Sequence, residues 1–167
     1  KGGAGLTPAE GGWLPVGPSA VPFDGKAITP VEASHGELER IVEAWIAATR
    51  RALAAGFRLI EVHAAHGYLL ASFISPLTNK RTDEYGGSLD NRMRAPLQVL
   101  ARVREMVGKD FMIGVRFLGE ECIKGGYTTE ESATIALRMA QSGVDYISLS
   151  AGGKFEDAVH KEGEVLY

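Results

Sequence analysis

The run Leu59-Ile-Glu-Val-His-Ala-Ala-His-Gly-Tyr68 changes abruptly from apolar to polar side chains. Its first part, Leu59 to Val62, is typical of a short β-strand, and we place the end of that strand at His63. A polar loop is predicted to follow over residues 64–87. The end of one strand therefore carries two imidazoles and a phenol into the same loop.

Helices and strands alternate on both sides of this run. Ser34 with Glu37, and Thr128 with Glu131, have the spacing of a capping box at a helix start. Pro96 lacks a backbone N–H, so it is expected to kink or restart the helix that contains it. The predicted elements are a loop over 1–33, a helix from Ser34 to Gly56, the strand ending at His63, a helix from Ser88, a strand over Phe111–Phe117, a helix from Thr128 to Gly143 and a strand over Val144–Ser150.

This order predicts an α/β fold built from parallel β-α-β units. The links from strand to helix are long, at 64–87 and 118–127, whereas the links from helix to strand are short. Folds of this class carry their function on loops at the carboxyl ends of the strands. Three strands do not close a barrel, so the chain is either a small open sheet or a piece of a barrel. Lys1, in place of an initiating Met, favours a piece.

The composition limits the classes of function. The chain has 167 residues, a net charge of -3 and 45% apolar residues, which suits one globular domain. The lack of a basic excess argues against a nucleic-acid binder, and no apolar run approaches the ~20 residues that span a bilayer. The single cysteine, Cys122, excludes an internal disulfide and favours a reducing, cytoplasmic setting.

The segment His63–Tyr68 is the strongest candidate site. Imidazoles can donate hydrogen bonds to a carbonyl or anionic oxygen, and the Tyr68 phenol can deliver a proton. The small residues Ala64, Ala65 and Gly67 leave room for a ligand close to the backbone. The sequence leaves open that these histidines merely cap backbone groups beside a packed tyrosine. It also leaves open a zinc site, which needs a third ligand that no other histidine supplies at a suggestive spacing.

Arg116 lies inside the apolar strand Ile113–Phe117. A charge in a buried strand is costly unless it is paired or liganded. One interpretation is a structural arginine near the strand end that pairs with Glu120 or Glu121. The other is a fixed cation that faces developing negative charge in an active site. We favour the second, because both faces of a parallel strand are normally buried.

Two further polar segments follow predicted strands. Residues 75–92 mix both signs of charge, which predicts a structured loop held by internal ion pairs rather than a phosphate or nucleic-acid patch. Gly152-Gly-Lys154 comes after the third strand and has the composition of a backbone anion nest.

Three parts of the chain together resemble the Old Yellow Enzyme family of flavin-dependent oxidoreductases. They are His63 through Arg92, Arg116 on the next strand, and Trp13-Leu-Pro-Val-Gly-Pro-Ser-Ala-Val-Pro-Phe23 upstream. The resemblance implies an eight-stranded (β/α)8 TIM barrel with FMN at its C-terminal mouth. Residues 1–167 would then be one partial domain, with the connection before the fourth strand followed by roughly the fourth to sixth β-α units.

The resemblance also implies roles for individual residues. Four consecutive residues, His63-Ala64-Ala65-His66, would contact the substrate, and the two histidines would bind its activating oxygen. Tyr68 resembles the proton donor of the family. Arg116 resembles the arginine beside the flavin N1 and C2 carbonyl, and His63 would also contact the cofactor. The resemblance implies no metal ligand.

The implied activity is the NAD(P)H-driven, FMN-dependent reduction of the C=C bond of α,β-unsaturated carbonyl compounds. The implied partner is a small-molecule substrate rather than nucleic acid or a membrane, and a homo-oligomeric parent stays open. Alternatives are a dienoyl-CoA reductase-like or amine dehydrogenase-like multidomain flavoprotein of the same family, and a metal-dependent hydrolase that uses His63 and His66. The isolated chain, a partial barrel with exposed sheet edges, is expected to be inactive.

Overall fold

Parallel strands alternate with helices along the chain. The computed structural model describes residues 5–23 and 26–151. The predicted helices and strands are all present, with their ends shifted by a residue or two. The elements are a 3-10 turn at Pro8–Glu10, β1 (Val16–Gly17), β2 (Val31–Glu32), α1 (His35–Ala54), β3 (Leu59–Ala64), α2 (Leu69–Ile74), α3 (Leu89–Val107), β4 (Met112–Leu118), α4 (Thr129–Gln141) and β5 (Tyr146–Ser150).

The strands β3, β4 and β5 form a parallel sheet with β4 in the centre. The register pairs His63 with Arg116, and Arg116 with Ser148, so these residues lie side by side across the sheet. The predicted α/β fold of parallel units is therefore confirmed. The lead-in segment, residues 1–33, was expected to be a loop, but β1 and β2 within it form a short parallel ladder in which backbone groups of the two strands pair with each other.

The two faces of the sheet differ in chemistry. One face packs under α1, α3 and α4 and is apolar, with Val62, Val115 and Phe117 almost completely buried. Each large apolar side chain buried there stabilises the fold by about 1.5–3 kcal/mol. The opposite face carries polar side chains. No helix in residues 5–23 and 26–151 has the length and apolarity needed to cross a bilayer.

The helix starts test the predicted capping boxes. At α1 the prediction is confirmed, because the Glu37 N–H donates to Ser34 Oγ at 3.2 Å and the Ser34 N–H donates to the Glu37 carboxylate at 2.9 Å. At α4 the cap position, Thr128, is right but its side chain makes no capping hydrogen bond. The capping box predicted there is wrong, because the Glu131 carboxylate accepts a hydrogen bond from Arg92 instead.

The predicted polar loop over 64–87 contains a short helix that the sequence pattern did not predict. This helix, α2, spans Leu69–Ile74, and most of its side chains are buried. Phe73 and Ile74 are almost completely enclosed. A helix this short is not stable by propensity alone, so its apolar packing against β3 and α3 holds it in place.

The helix α3 runs through Pro96 as one element, so the restart expected at this proline does not occur. Proline inside a helix removes one hydrogen bond and crowds the preceding turn, at a cost of about 3 kcal/mol. Pro96 itself is buried, and so are Met93, Val99 and Leu100 around it. Burial of this face offsets the local cost of the proline.

Internal ion pairs hold the segment 75–92, as predicted. The Arg81 guanidinium is buried, and its Nε and Nη2 donate to the Asp83 carboxylate at 2.9 and 2.5 Å. Its Nη1 donates to the carbonyls of Pro18 and Ala33, in the lead-in segment. One arginine therefore ties the loop after β3 to the polypeptide that precedes α1.

A second buried arginine, Arg92, connects three parts of the fold. Only 7% of the residue is exposed. Its guanidinium donates to the carbonyl of Ile74 at the end of α2, to the carbonyl of Gly87 in the loop, and to the carboxylate of Glu131 on α4. Because these acceptors lie far apart in the sequence, Arg92 fixes how α2 and α4 sit relative to α3.

We predict that Arg92→Gln destabilises the full-length protein much more than Arg102→Gln. Loss of one partner from a buried charged network costs about 3–5 kcal/mol. Arg102 is exposed and pairs with Glu43 at 3.1 Å, and an exposed pair of this kind contributes less than about 1 kcal/mol. The measurement is the free energy of unfolding in urea. Equal losses in the two variants would contradict the structural role of Arg92.

A second prediction concerns acid. Hydrogen bonds from Arg81 lower the pKa of the Asp83 carboxyl from 3.8 to about 2, so the folded state favours the charged form. The stability that this pair contributes is present above the unfolded pKa of about 3.9 and is lost as pH falls from there towards 2. The difference in unfolding free energy between wild type and Asp83→Asn should therefore shrink below about pH 4.

The matched control for this acid prediction is Asp110→Asn, which changes an exposed residue in the turn before β4. That substitution should leave the stability almost unchanged at every pH. A stability difference between wild type and Asp83→Asn that stays constant from pH 6 to pH 3 would mean that the Arg81 contact does not act as described.

Candidate active site at the carboxyl ends of the strands

The polar residues singled out in the sequence meet where β3, β4 and β5 end. His63 is near the end of β3, and its register partner on β4 is Arg116. Ser150 closes β5, on the other side of β4. Because all three strands run in the same direction, their carboxyl ends form one edge, which is where this class of fold places its ligand sites.

A left-handed turn directs the chain from β3 into α2. His66 has a φ of 57° and Gly67 a φ of 68°. Glycine adopts this conformation at no steric cost, but a residue with a Cβ is strained there by about 1–2 kcal/mol. Strained backbone of this kind concentrates at functional sites. The turn places the His66 Nε2 atom 2.6 Å from the Ser150 Oγ atom, so the ring is fixed against β5.

The rings of His63, His66 and Tyr68 lie together. The ring centroids of His63 and His66 are 5.2 Å apart, and those of His63 and Tyr68 are 5.4 Å apart. Tyr68 is the N-terminal cap residue of α2 and is 53% exposed, so a ligand can reach its phenol. The structure thus brings the His63 ring close to both His66 and Tyr68.

Ala64 and Ala65 lie apart from this ring cluster. Both are almost completely buried and belong to the main apolar core. Their small side chains fill the core, so contact between these residues and a substrate stays a prediction.

The hydrogen-bonding groups of the Arg116 side chain are only partly satisfied. Its side chain is 39% exposed, and Nη1 lies 3.9 Å from Glu61 Oε1. The pairing with Glu120 or Glu121 considered from the sequence is wrong, because Glu121 is buried and accepts from the backbone N–H of Tyr127 at 3.0 Å. The Nε atom of Arg116 is buried and has no hydrogen-bond partner among the described residues.

A flavin ring offers the hydrogen-bond acceptor that the Nε atom of Arg116 lacks among the described residues. A buried donor without an acceptor costs about 1–3 kcal/mol, so such an atom points to a ligand that supplies the acceptor. A guanidinium offers several donors in a fixed plane and remains charged at any pH of interest. The carbonyl oxygens and the electron-rich edge of an isoalloxazine ring match this donor set.

An apolar cavity adjoins Tyr68. Its volume is about 320 Å³, and it lies between the lead-in segment and α2. Two hydroxyls in its wall are used internally, since Ser72 Oγ donates to the Tyr68 carbonyl and Thr78 Oγ1 donates to the Ser72 carbonyl. The segment Trp13–Phe23, which carries part of the family resemblance, supplies apolar residues and prolines to the wall of this cavity, among them Pro15, Val16 and Phe23.

The structure does not assemble a metal site around His63 and His66. Among residues 5–23 and 26–151, the side chains whose ligand atoms converge are those of His35, Asp83 and Glu84. In that cluster Asp83 is already held by Arg81. The geometry therefore gives the metal-dependent hydrolase no support. The anion nest predicted at 152–154 lies outside the described residues.

The comparison with known sequences decides the family. A sequence model of the NADH:flavin oxidoreductase / NADH oxidase family matches residues 10–163. The chain belongs to this family. The resemblance to the Old Yellow Enzyme family is thereby confirmed.

The individual relatives are longer than this chain. An NADH oxidase of Thermoanaerobacter brockii is 44% identical over 141 residues, which cover 84% of this chain and 22% of that protein. The structure of 2-naphthoyl-CoA reductase with 2-naphthoyl-CoA has a TM-score of 0.79 and 36% identity, covering 85% of this chain and 22% of that one. Morphinone reductase in complex with tetrahydroNAD has a TM-score of 0.73 and 33% identity, covering 82% of this chain and 42% of that one.

These matches place the sheet of this family member within a larger fold. The matched structures are TIM barrels of the Old Yellow Enzyme type, so the parallel sheet β3-β4-β5 is part of a (β/α)8 barrel. The chain spans between 22% and 42% of the three relatives described. That its units are the fourth to sixth of the barrel stays a prediction.

The strained turn generates a prediction for this family member. We expect His66→Asn to destabilise the full-length protein less than His66→Val, by about 1–2 kcal/mol, because a branched side chain suits the left-handed conformation poorly and asparagine tolerates it. Both variants remove the imidazole that contacts Ser150, so their difference isolates the backbone. The measurement is the free energy of unfolding in urea, and equal values would argue against a left-handed His66.

Proposed function

We propose that the protein containing this chain is an FMN-dependent, NAD(P)H-driven reductase of C=C bonds conjugated to a carbonyl group. The observation that carries this proposal is the cluster of the His63, His66 and Tyr68 rings beside Arg116 at the carboxyl edge of the sheet. Two donors for an oxygen, one proton donor and one fixed cation are the groups that such a reaction needs.

Arg116 is the residue proposed to hold the cofactor, with His63 beside it. The bound FMN supplies hydride transfer, which amino-acid side chains do not perform. Arg116 would direct its buried Nε donor towards a carbonyl of the flavin ring, and its positive charge would favour negative charge on that ring. The same cation explains why a charged residue is retained in an otherwise apolar strand.

His63 and His66 are proposed to bind the carbonyl oxygen that activates the alkene. Each imidazole can present one N–H to the oxygen, and such donors stabilise charge that develops there during the reaction. The contact between His66 and Ser150 limits the rotation of the His66 ring. Preorganised donors of this kind do not need to reorient when the charge forms, which lowers the barrier.

Tyr68 is proposed to donate the proton. Its phenol is accessible to a ligand and next to His63, so a substrate whose oxygen contacts the imidazoles brings its carbon skeleton towards Tyr68 Oη. The adjoining apolar cavity would hold the non-polar part of the substrate and exclude water from it. The proton would pass from Tyr68 Oη to the carbon next to the carbonyl group.

A second candidate is the reduction of an acyl-CoA thioester in a multidomain protein. The similarity to 2-naphthoyl-CoA reductase, of which this chain covers 22%, favours it. The same histidines would bind the thioester carbonyl, so the residue roles do not change. Substrate size and further domains, rather than this chain, would separate the two candidates. An amine dehydrogenase-like parent has less support, because the ring cluster offers donors for an oxygen.

We predict that Tyr68→Phe in the full-length protein lowers the rate of alkene reduction by about 10²- to 10⁴-fold, the contribution typical of a positioned proton donor. The rate at which NADH or NADPH bleaches the flavin absorbance should stay unchanged, because that half of the cycle needs no proton from Tyr68. Stopped-flow absorbance with a simple cyclic enone measures both rates.

The control for this experiment is Tyr85→Phe, which removes a phenol from the exposed contact with Gln98. It should leave both rates at the wild-type value. Alkene reduction at the wild-type rate in Tyr68→Phe would refute the proton-donor role. A full-length protein that retains no FMN after purification would refute the proposed cofactor.

A further inference from the structure

Two polar residues, Glu61 and Tyr146, lie two positions before the register row that contains Arg116, and so further from the carboxyl edge of the sheet. The register pairs Glu61 on β3 with Gly114 on β4, and Gly114 with Tyr146 on β5. Side chains alternate along a strand, so residues two positions apart face the same side of a sheet. Glu61 and Tyr146 therefore share the polar face with Arg116.

Gly114 leaves space for the Tyr146 side chain to cross the central strand. A Cβ atom at position 114 would overlap the Tyr146 ring near its hydroxyl end. The ring therefore lies over β4, which brings its phenol next to Glu61 on β3. Burial, together with the neighbouring Glu61 carboxylate, raises the pKa of the Tyr146 phenol, so the phenol stays protonated beside that carboxylate.

The Glu61 carboxylate thus has the Tyr146 phenol on one side and Arg116 on the other. Its Oε1 lies 3.9 Å from Arg116 Nη1, and its side chain is 30% exposed. A carboxylate fixed by a neighbouring hydroxyl cannot easily follow a moving guanidinium. It therefore attracts one corner of the guanidinium and leaves the rest of the group, including the buried Nε, directed elsewhere.

We propose that Glu61, fixed by Tyr146 across Gly114, is the positioning residue for Arg116. It sets the direction in which the guanidinium presents its remaining donors at the carboxyl edge of the sheet. Glu61 touches no reacting atom in this arrangement and acts only through Arg116. The identity of the Arg116 ligand as the flavin rests on the proposed function. The contact between Glu61 and Arg116 does not depend on that identity.

The test is a double-mutant cycle in the full-length flavoprotein with Glu61→Gln, Arg116→Gln and the double variant. Glu61→Gln should weaken FMN binding about three- to tenfold, and it should lower the midpoint potential of the bound flavin, because a displaced guanidinium stabilises the reduced ring less. The same substitution should have no further effect in the Arg116→Gln background. FMN binding is measured by fluorescence titration, and the potential by dye equilibration.

Two further variants test the contribution of Tyr146 and provide a control for loss of a carboxylate. Tyr146→Phe keeps the Glu61 charge but removes the group that fixes it, so it should change FMN binding and potential in the same direction by a smaller factor. Glu43→Gln removes an exposed carboxylate from the surface pair with Arg102 and should change neither.

Three outcomes would overturn the inference. A Glu61→Gln variant with wild-type FMN binding and potential shows that Glu61 does not position Arg116. An effect of Glu61→Gln that persists in the Arg116→Gln background shows that the carboxylate acts on the flavin directly. If the wild-type protein retains no FMN, the proposed function fails, and the cycle is measured instead on unfolding in urea. Additive stability losses would then overturn the inference, and coupled losses would support it.

Discussion

The register between β3 and β4 is the constraint on which the candidate site depends. Pairing of His63 with Arg116 puts an imidazole and a guanidinium at neighbouring strand ends. A slip of one residue would turn Arg116 into the apolar layer under the helices and bring Val115 or Phe117 to the polar face. The close packing of Val62, Val115 and Phe117 resists that slip. Apolar burial on one side of the sheet therefore determines which charges stand on the other.

The strained turn after β3 persists because its surroundings hold both of its ends. On one side His66 contacts Ser150 on β5. On the other side α2 begins at Leu69, two residues after the turn, and its apolar residues are buried against β3 and α3. Arg92 holds the far end of α2, because its guanidinium donates to the last carbonyl of α2 and also to Glu131 on α4. Strain of this kind is stable only where the neighbouring structure over-determines it.

Local signals in the sequence predicted most of the fold. The alternation of apolar runs and capping residues was sufficient for α1, α3, α4 and the three strands of the main sheet, because these patterns reflect interactions within a few residues. The capping box at Thr128 failed because Glu131 binds Arg92, which lies 39 residues away. The helix α2 was missed because six residues carry too little periodicity, and its stability comes from tertiary burial.

The candidate site was predictable in part for the same reason. His63, His66 and Tyr68 lie within one short run, so the sequence alone placed them in one loop. The residues that contact these side chains were not predictable, namely Ser150 beside His66 and Glu61 beside Arg116. Ser150 and Glu61 have ordinary local contexts, and their roles depend on which strands pair and in which register. The glycine at position 114 gave no signal either, since the Tyr146 ring that requires it lies 32 positions further along the chain.

The polar face of the sheet also explains why a fold would retain an incompletely satisfied cation. Parallel sheets normally have both faces covered, and in a barrel the inner face is covered by the remaining strands. On this face Glu61 engages only one corner of Arg116, and the buried Nε has no acceptor among the described residues. An unsatisfied donor of this kind costs about 1–3 kcal/mol, a penalty that an apolar residue at the same position would not carry. In the proposed function, the acceptor that the flavin supplies to Nε would recover this lost stability.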